Sequence, residues 1–123
     1  MSDYAKNIYY NPQNVGLEIF AILEADLSYE FDILLVVRDI KSGDLYYASD
    51  TGCSCPTPFE GFHYDILGDT DLESLNKDTL ENFKNAVKNH HNYEYSSGNI
   101  SNQDRVGIIE KVEKYLKESD DTN

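Results

Sequence analysis

The residues best suited to chemistry lie in one stretch, DTGCSCPTPFEGFHYD, which spans residues 50–65. It holds both cysteines of the chain, Cys53 and Cys55, and His63 follows eight residues after the second of them. Thiolate and imidazole groups bind zinc, but paired zinc cysteines usually have two or more residues between them. These three residues are therefore only weak candidates for metal ligands. Further ligands would have to come from His90, His91 or Asp50.

The same stretch has three other interpretations. A disulfide within Cys-x-Cys would close a small, strained ring, and a reducing cytosol would keep the thiols free. A catalytic thiol needs a base and an oxyanion-binding group, and no such set is recognisable around the two cysteines. The interpretation that we favour is structural: Pro56 and Pro58 stiffen a crossover loop that Phe59 and Phe62 anchor in the core. The sequence thus predicts no enzyme activity and no cofactor.

Apolar periodicity predicts strands before this loop and helices after it. The predicted strands span residues 17–25, 30–39 and 45–49. Capping-box patterns predict a short helical turn over residues 70–75 and helices over 78–92 and 101–118. This order indicates an α+β fold, in which a three-stranded antiparallel meander is followed by the proline-rich loop and by two or three helices packed on one sheet face.

The chain length and the ends of the sequence set the domain organisation. A chain of 123 residues is expected to form one domain. We assign residues 1–16 to an N-terminal arm, 17–118 to the domain and 119–123 to a disordered acidic tail. No apolar run approaches the roughly 20 residues that cross a bilayer, and the first residues lack the parts of a signal peptide. These features predict a cytoplasmic protein.

Charge is the strongest bulk signal in the sequence. Ten basic residues stand against 23 acidic ones, which leaves a net charge of −13. Residues 17–75 hold 13 acidic residues against Arg38 and Lys41, a net of −11, whereas the two helical segments are nearly balanced. Such a surface disfavours direct binding of nucleic acid or of an anionic membrane. It predicts an electropositive protein partner, with colloidal solubility alone as the other explanation.

Alternation along the strands predicts two unlike sheet faces. One face is apolar and is expected to pack on the helices: Leu17, Ile19, Ala21, Leu23, Phe31, Ile33, Leu35 and Val37. The other is expected to be exposed, with an apolar centre bordered by carboxylates, as in a protein interface. The candidate partner-binding residues are Glu18, Phe20, Ile22, Glu24, Glu30, Asp32, Leu34, Val36, Asp39 and Asp44. Alternatively, this face is covered by the arm, through Ile8, Tyr9 and Tyr10, or by a second copy in a homodimer.

Three stretches, YYNPQNVGL, YEFDILLVVRD and DLYYASDTGCSCPTPFE, resemble a family of small uncharacterised bacteriophage proteins. The shared features are a Tyr-Asn-Pro…Gly-Leu opening, a Tyr-x-Phe-Asp strand and a Gly-Cys-Ser-Cys-Pro-x-Pro-Phe-Glu loop. The likeness covers residues 9–62. It implies a phage gene expressed in the cytoplasm of a bacterial host, and it carries over no activity and no functional residue.

Within this context, small acidic phage proteins that lack catalytic motifs often act by binding host proteins. The hypothesis is a non-enzymatic protein that inhibits or redirects a basic host protein, such as a defence protein or a nucleic-acid-binding protein. The carboxylates would then imitate the charge of nucleic acid, which in duplex DNA amounts to about one charge per ~1.7 Å of axis. The alternative is a small structural or metal-stabilised phage accessory module that acts as a homo-oligomer.

Overall fold

The computed structural model describes residues 5–25, 30–53, 57–64, 70–91 and 100–121, except for the side chains of Cys53, Asp120 and Asp121. An antiparallel sheet contains β1 (Leu17–Glu24), β2 (Glu30–Asp39), β3 (Leu45–Cys53) and β4 (Glu73–Leu75), in that order across the sheet. A 3-10 turn, Pro12–Val15, precedes the sheet. The helices α1 (Leu80–Asn89) and α2 (Asn102–Asp121) follow it.

The α+β class and the antiparallel meander are confirmed, but the sheet has a fourth strand. The predicted helical turn over residues 70–75 is wrong, because Glu73–Leu75 pairs with the outer edge of β3. The hydroxyl of Thr70, expected to cap a helix, instead donates to the carbonyl of His63 at 2.8 Å. Helix α2 continues to Asp121, so residues 119–121 of the predicted disordered tail are helical.

A bulge in β1 changes which side chains share a face. Ile19 lies opposite Val37 and Ala21 lies opposite Val36, which leaves Phe20 as an extra residue between them. The alternation after the bulge is therefore shifted by one residue. As a result Leu17 and Leu23, which were predicted to share a face, pack in separate clusters on opposite sides of the sheet.

The helices cover the sheet face that was predicted to be exposed. Leu34 and Val36 are 1% and 0% exposed, and they pack in a cluster with Phe83 of α1 and Val112 of α2. The expected exposed apolar centre is therefore wrong. The shift at the bulge brings Leu23 to this side and makes it a continuous apolar surface, which the amphipathic helices bury.

The opposite sheet face is covered by the N-terminal segment and by the part of the proline-rich loop from residue 57 onwards. Ile8 and Phe59 are both fully buried against Leu35 and Val37. The side-chain amide of Asn7 joins the two covering segments, because its Nδ2 donates to the carbonyl of Pro58 at 2.9 Å. The arm thus completes the core. It covers the face of Leu35 and Val37, whereas the sequence predicted that it would cover the face of Leu34 and Val36. The predicted role of Phe59 as a core anchor is confirmed.

Candidate protein interface

The structure divides the ten candidate partner-binding residues by their exposure. Glu18, Ile22, Glu24, Glu30 and Asp44 are exposed, Phe20 and Asp32 are half-buried, and Leu34, Val36 and Asp39 are buried. The exposed carboxylates lie at both ends of the paired strands β1 and β2. Glu24 and Glu30 are at one end, and Asp44 is beyond the other. The ten residues therefore do not form one continuous surface.

Asp39 belongs to the core of the β2–β3 hairpin and is unsuited to contact a partner. One carboxylate oxygen accepts the amides of Lys41 and Ser42 at 2.9 Å, and the other accepts the Tyr64 hydroxyl at 2.6 Å. Burial alone would raise the pKa of Asp39, but these hydrogen bonds outweigh burial and lower it. Burial, together with the bond to Asp39, raises the pKa of Tyr64.

Asp32 forms a buried polar cluster with the two histidines at the end of α1. Its Oδ2 lies 2.7 Å from Nδ1 of His91, and its backbone carbonyl lies 3.1 Å from Nε2 of His90. His91 has a φ of 47°, a left-handed conformation that is common where a helix ends. This cluster joins α1 to β2, so Asp32 has hydrogen-bonding partners within the fold. A pairing across 59 residues leaves no local sequence signal.

Arg105 of α2 donates hydrogen bonds to the C-terminal end of α1. Its Nη1 donates to the carbonyls of Val87 and His90 at 2.6 Å, and its Nη2 donates to the carbonyl of His91 at 3.3 Å. These carbonyls belong to the last turn of α1 and to the residues that follow it, where helices lack internal donors. The guanidinium group is therefore a structural cap between the helices.

Of the three weak candidates for metal ligands, the structure describes the side chain of His63. Cys55 and the side chain of Cys53 lie outside the described residues, and His63 is exposed, with its amide donating to Asp71 at 2.8 Å. Among the described residues, no group of three or more His, Cys, Asp or Glu side chains is arranged to hold a metal ion. Within the same ranges, neither helix combines the length and the apolar character that a membrane span requires.

The outer edge of β1 presents backbone groups that do not pair with β2. Since β1 is the first strand in the sheet order, only one of its edges meets another described strand. The amide of Ala25 donates to the carbonyl of Asp32. Because such bonds alternate along an antiparallel pair, the amide and carbonyl of Leu23 face β2, whereas those of Ile22 and Glu24 point away from the sheet.

A groove of about 940 Å³ lies between this edge and α2. Ile22 on the strand side is 38% exposed, and Val106 on the helix side is 43% exposed. Gly107 also lines the groove, and a Cβ built on it would meet no atom within 4 Å outside its own helix. The groove therefore combines exposed apolar side chains, an open space at a glycine and outward-pointing backbone groups.

Charged side chains border the groove. Glu24, Asp104 and Glu110 line it and are exposed. Lys111, the basic residue of the lining, places its Nζ 2.6 Å from the carbonyl of Phe20 and 4.7 Å from the centre of the Phe20 ring. Its ammonium group is thus engaged within the chain, at the bulge. Because the three carboxylates outnumber this one ammonium group, the electrostatic potential in the groove is negative.

Comparison with known proteins gives a family but no characterised relative. No curated protein and no solved structure matches the chain. The model of a family described as a domain of unknown function, DUF7574, matches residues 6–118. This match takes in the N-terminal segment that completes the core, all four strands, α1 and most of α2. The chain therefore belongs to the DUF7574 family.

Proposed function

We propose that this protein is a non-enzymatic binding module that engages an electropositive protein of a bacterial host and inhibits or redirects it. The observation that carries the proposal is the net charge of −13, together with exposed carboxylates in the lining of a groove that also exposes Ile22 and Val106. Three of them, Glu24, Asp104 and Glu110, come from two elements that are distant in sequence and adjacent in space. The binding surface is thus the groove and its rim, rather than the buried sheet face.

The charges and the apolar groups have different roles in this proposal. Exposed ion pairs contribute only about 0–1 kcal/mol each, so the carboxylates mainly select the partner and raise the association rate. Contact with Ile22 and Val106, which are both partly exposed, supplies the affinity. We therefore expect binding that weakens as salt is added but does not vanish, because apolar contact persists when charges are screened.

The test is capture of proteins from a bacterial lysate on the immobilised chain, followed by measurement of affinity with each purified partner. The charge-reversal pair Glu24→Lys and Glu110→Lys reverses two of the three carboxylates that line the groove. The matched control, Asp44→Lys and Glu73→Lys, changes the net charge by the same amount at exposed positions outside the groove lining. We expect the first pair to weaken the binding of basic proteins clearly and the control to leave it nearly unchanged.

Two outcomes would refute the proposal. One is that the unaltered chain retains no basic protein even at low salt. The other is that both charge-reversal pairs reduce binding equally, since this would show an effect of net charge without a site. Thermal unfolding of each variant provides the folding control. Because Glu24 is hydrogen-bonded to Tyr9 of the N-terminal segment, we expect the first pair to unfold at a somewhat lower temperature than the control pair, with both variants still folded.

A further inference from the structure

We propose that the partner enters the groove between β1 and α2 as an extended segment bearing lysine or arginine. We propose that it pairs, as an added strand, with the edge of β1 that no other described strand occupies. This inference rests on the proposed function for the charge of the partner. It adds the site, the backbone conformation of the bound segment and the type of hydrogen bonding. Addition of a strand to an exposed sheet edge is a general mode of peptide recognition.

The outward-facing backbone of β1 supplies the hydrogen bonds. Ile22 and Glu24 each direct an amide and a carbonyl away from β2, so a strand laid beside them can form up to four backbone bonds. The bulge limits the site at one end, because the carbonyl of Phe20 is already bound by Lys111. The segment that pairs is therefore short, and it lies beside Ala21–Glu24.

Gly107 is a second, independent observation in favour of a bound strand in the groove. Glycine inside a helix costs about 0.5–1 kcal/mol relative to alanine. Among the described residues there is no steric reason for it, since an added Cβ would meet none of their atoms within 4 Å outside the helix. A reason appears when the groove is occupied, because a docked backbone that approaches α2 needs the space that a methyl group would fill. The glycine thus indicates close approach of another chain at this place.

The charges favour a basic segment over a second copy of this protein. Glu24 lies on the strand side of the groove, and Asp104 and Glu110 lie on the helix side. Side chains of an added strand alternate between its two faces, so its basic residues would lie on the face nearer Glu24 while its smaller residues face Val106 and Gly107 on α2. Asp104 and Glu110 add to the negative potential of the groove. Pairing of two identical edges would instead bring two chains of net charge −13 together, which like-charge repulsion opposes.

The experiment uses an acetylated and amidated hexapeptide of alternating lysine and valine as the probe. Binding is followed by the backbone amide resonances of the full-length protein in NMR titrations. We expect the shifts to centre on Ile22, Glu24 and Gly107, and we expect hydrogen exchange of the Ile22 and Glu24 amides to slow. The same peptide methylated on alternate backbone nitrogens, in either register, and a glutamate–valine peptide serve as controls. At least one methylated peptide should lose binding, and the glutamate–valine peptide should not bind.

The decisive variant is Gly107→Ala, with Asn85→Ala on the exposed side of α1 as its control. Both substitutions raise helix propensity and should raise the melting temperature, so neither is expected to fail to fold. We expect Gly107→Ala to lower the affinity for the lysine–valine peptide by about tenfold or more, equivalent to about 1.4 kcal/mol. We expect Asn85→Ala to leave its affinity unchanged. Equal binding to both variants, shifts that centre elsewhere, or no shifts at millimolar peptide would overturn the inference.

The two proposals can fail separately. If Gly107→Ala still captures the basic partner of the full chain, the proposed function stands and strand addition is wrong. If the peptide binds the groove but no basic protein is captured, the edge is a competent site and the proposed function is wrong. A dimer in sedimentation experiments that Gly107→Ala dissolves would show that the edge is filled by a second copy, and this result would also overturn the inference.

Discussion

Replacement of Arg105 by alanine should be one of the most damaging single substitutions outside the apolar core. The residue is only 8% exposed, and its guanidinium donates to three carbonyls at the end of α1. A hydrogen bond from a charged donor contributes about 1.5–3 kcal/mol, and the contributions within one network are not additive. Since removal of Arg105 also leaves the carbonyls without this donor, we expect a loss of about 3–5 kcal/mol in the free energy of unfolding.

The same loss can be expressed as a change in melting temperature. The entropy of unfolding is about 2.1 cal/mol/K per residue near 60 °C, so each kcal/mol lowers the melting temperature of a chain of 123 residues by about 4 °C. A loss of about 3–5 kcal/mol then corresponds to about 12–20 °C. Urea unfolding followed by circular dichroism gives the free energy directly, and a thermal scan gives the temperature.

The matched control is Arg38→Ala, which removes an arginine from a partly exposed ion pair. Arg38 contacts Glu18 at 2.5 Å, but its side chain is 29% exposed. The ion pair contributes about 0–1 kcal/mol and the hydrogen bond between Arg38 and Tyr115 about 0.5–1.5 kcal/mol, so the control should lower the melting temperature by no more than about 10 °C. If the two alanine variants lose the same stability, or if Arg105→Ala loses less than about 1 kcal/mol, then Arg105 does not cap α1 as described.

Two further predictions concern the hairpin and the N-terminal segment. Asp39→Asn should lower the free energy of unfolding by about 1–3 kcal/mol at neutral pH. Because the pKa of Asp39 is lowered by folding, its ionised form stabilises the fold at pH values above the unfolded pKa of about 3.9, and this contribution is lost as the pH falls through the folded pKa. The difference in unfolding free energy between the variant and the unaltered chain should therefore shrink in acid. A difference that stays constant down to pH ~3 in urea titrations would contradict this prediction. Ile8→Ala should cost about 2–5 kcal/mol because Ile8 is fully buried. The same change at Ile40, 47% exposed, should cost under about 0.5 kcal/mol, and similar losses at both sites would show that the N-terminal segment does not seal the core.

The features that sequence reasoning predicted correctly depend on short-range physics. The strand β2 begins and ends where its apolar run predicts, at Glu30 and Asp39. A glycine in the short connection between two predicted strands indicates a turn with positive φ, and Gly43 has a φ of 80°. The last helix is capped by Ser101, whose hydroxyl accepts the amide of Asp104 at 3.0 Å. Each of these outcomes follows from residues that are within a few positions of one another.

The candidate interface was predicted only in part. The sequence indicated an acidic surface with exposed apolar groups, and it included Ile22 and Glu24 among the candidates. It missed Asp104, Glu110 and Gly107, because α2 is charge-balanced in sequence and gave no reason to join β1. A glycine inside an otherwise regular helical pattern was the one local signal that could have drawn attention to α2.

The sequence by itself determined the class of the fold, the main strands and helices, and the sign of the protein's charge. Only the tertiary structure decided which sheet face meets the helices and which carboxylates remain on the surface. The bulge at Phe20 depends on the register between β1 and β2, and the hydrogen bonds that hold Asp32 and Asp39 within the fold depend on partners 59 and 25 residues away. Local patterns encode the propensity and polarity of each segment, whereas register and long-range partners arise only when the segments pack together.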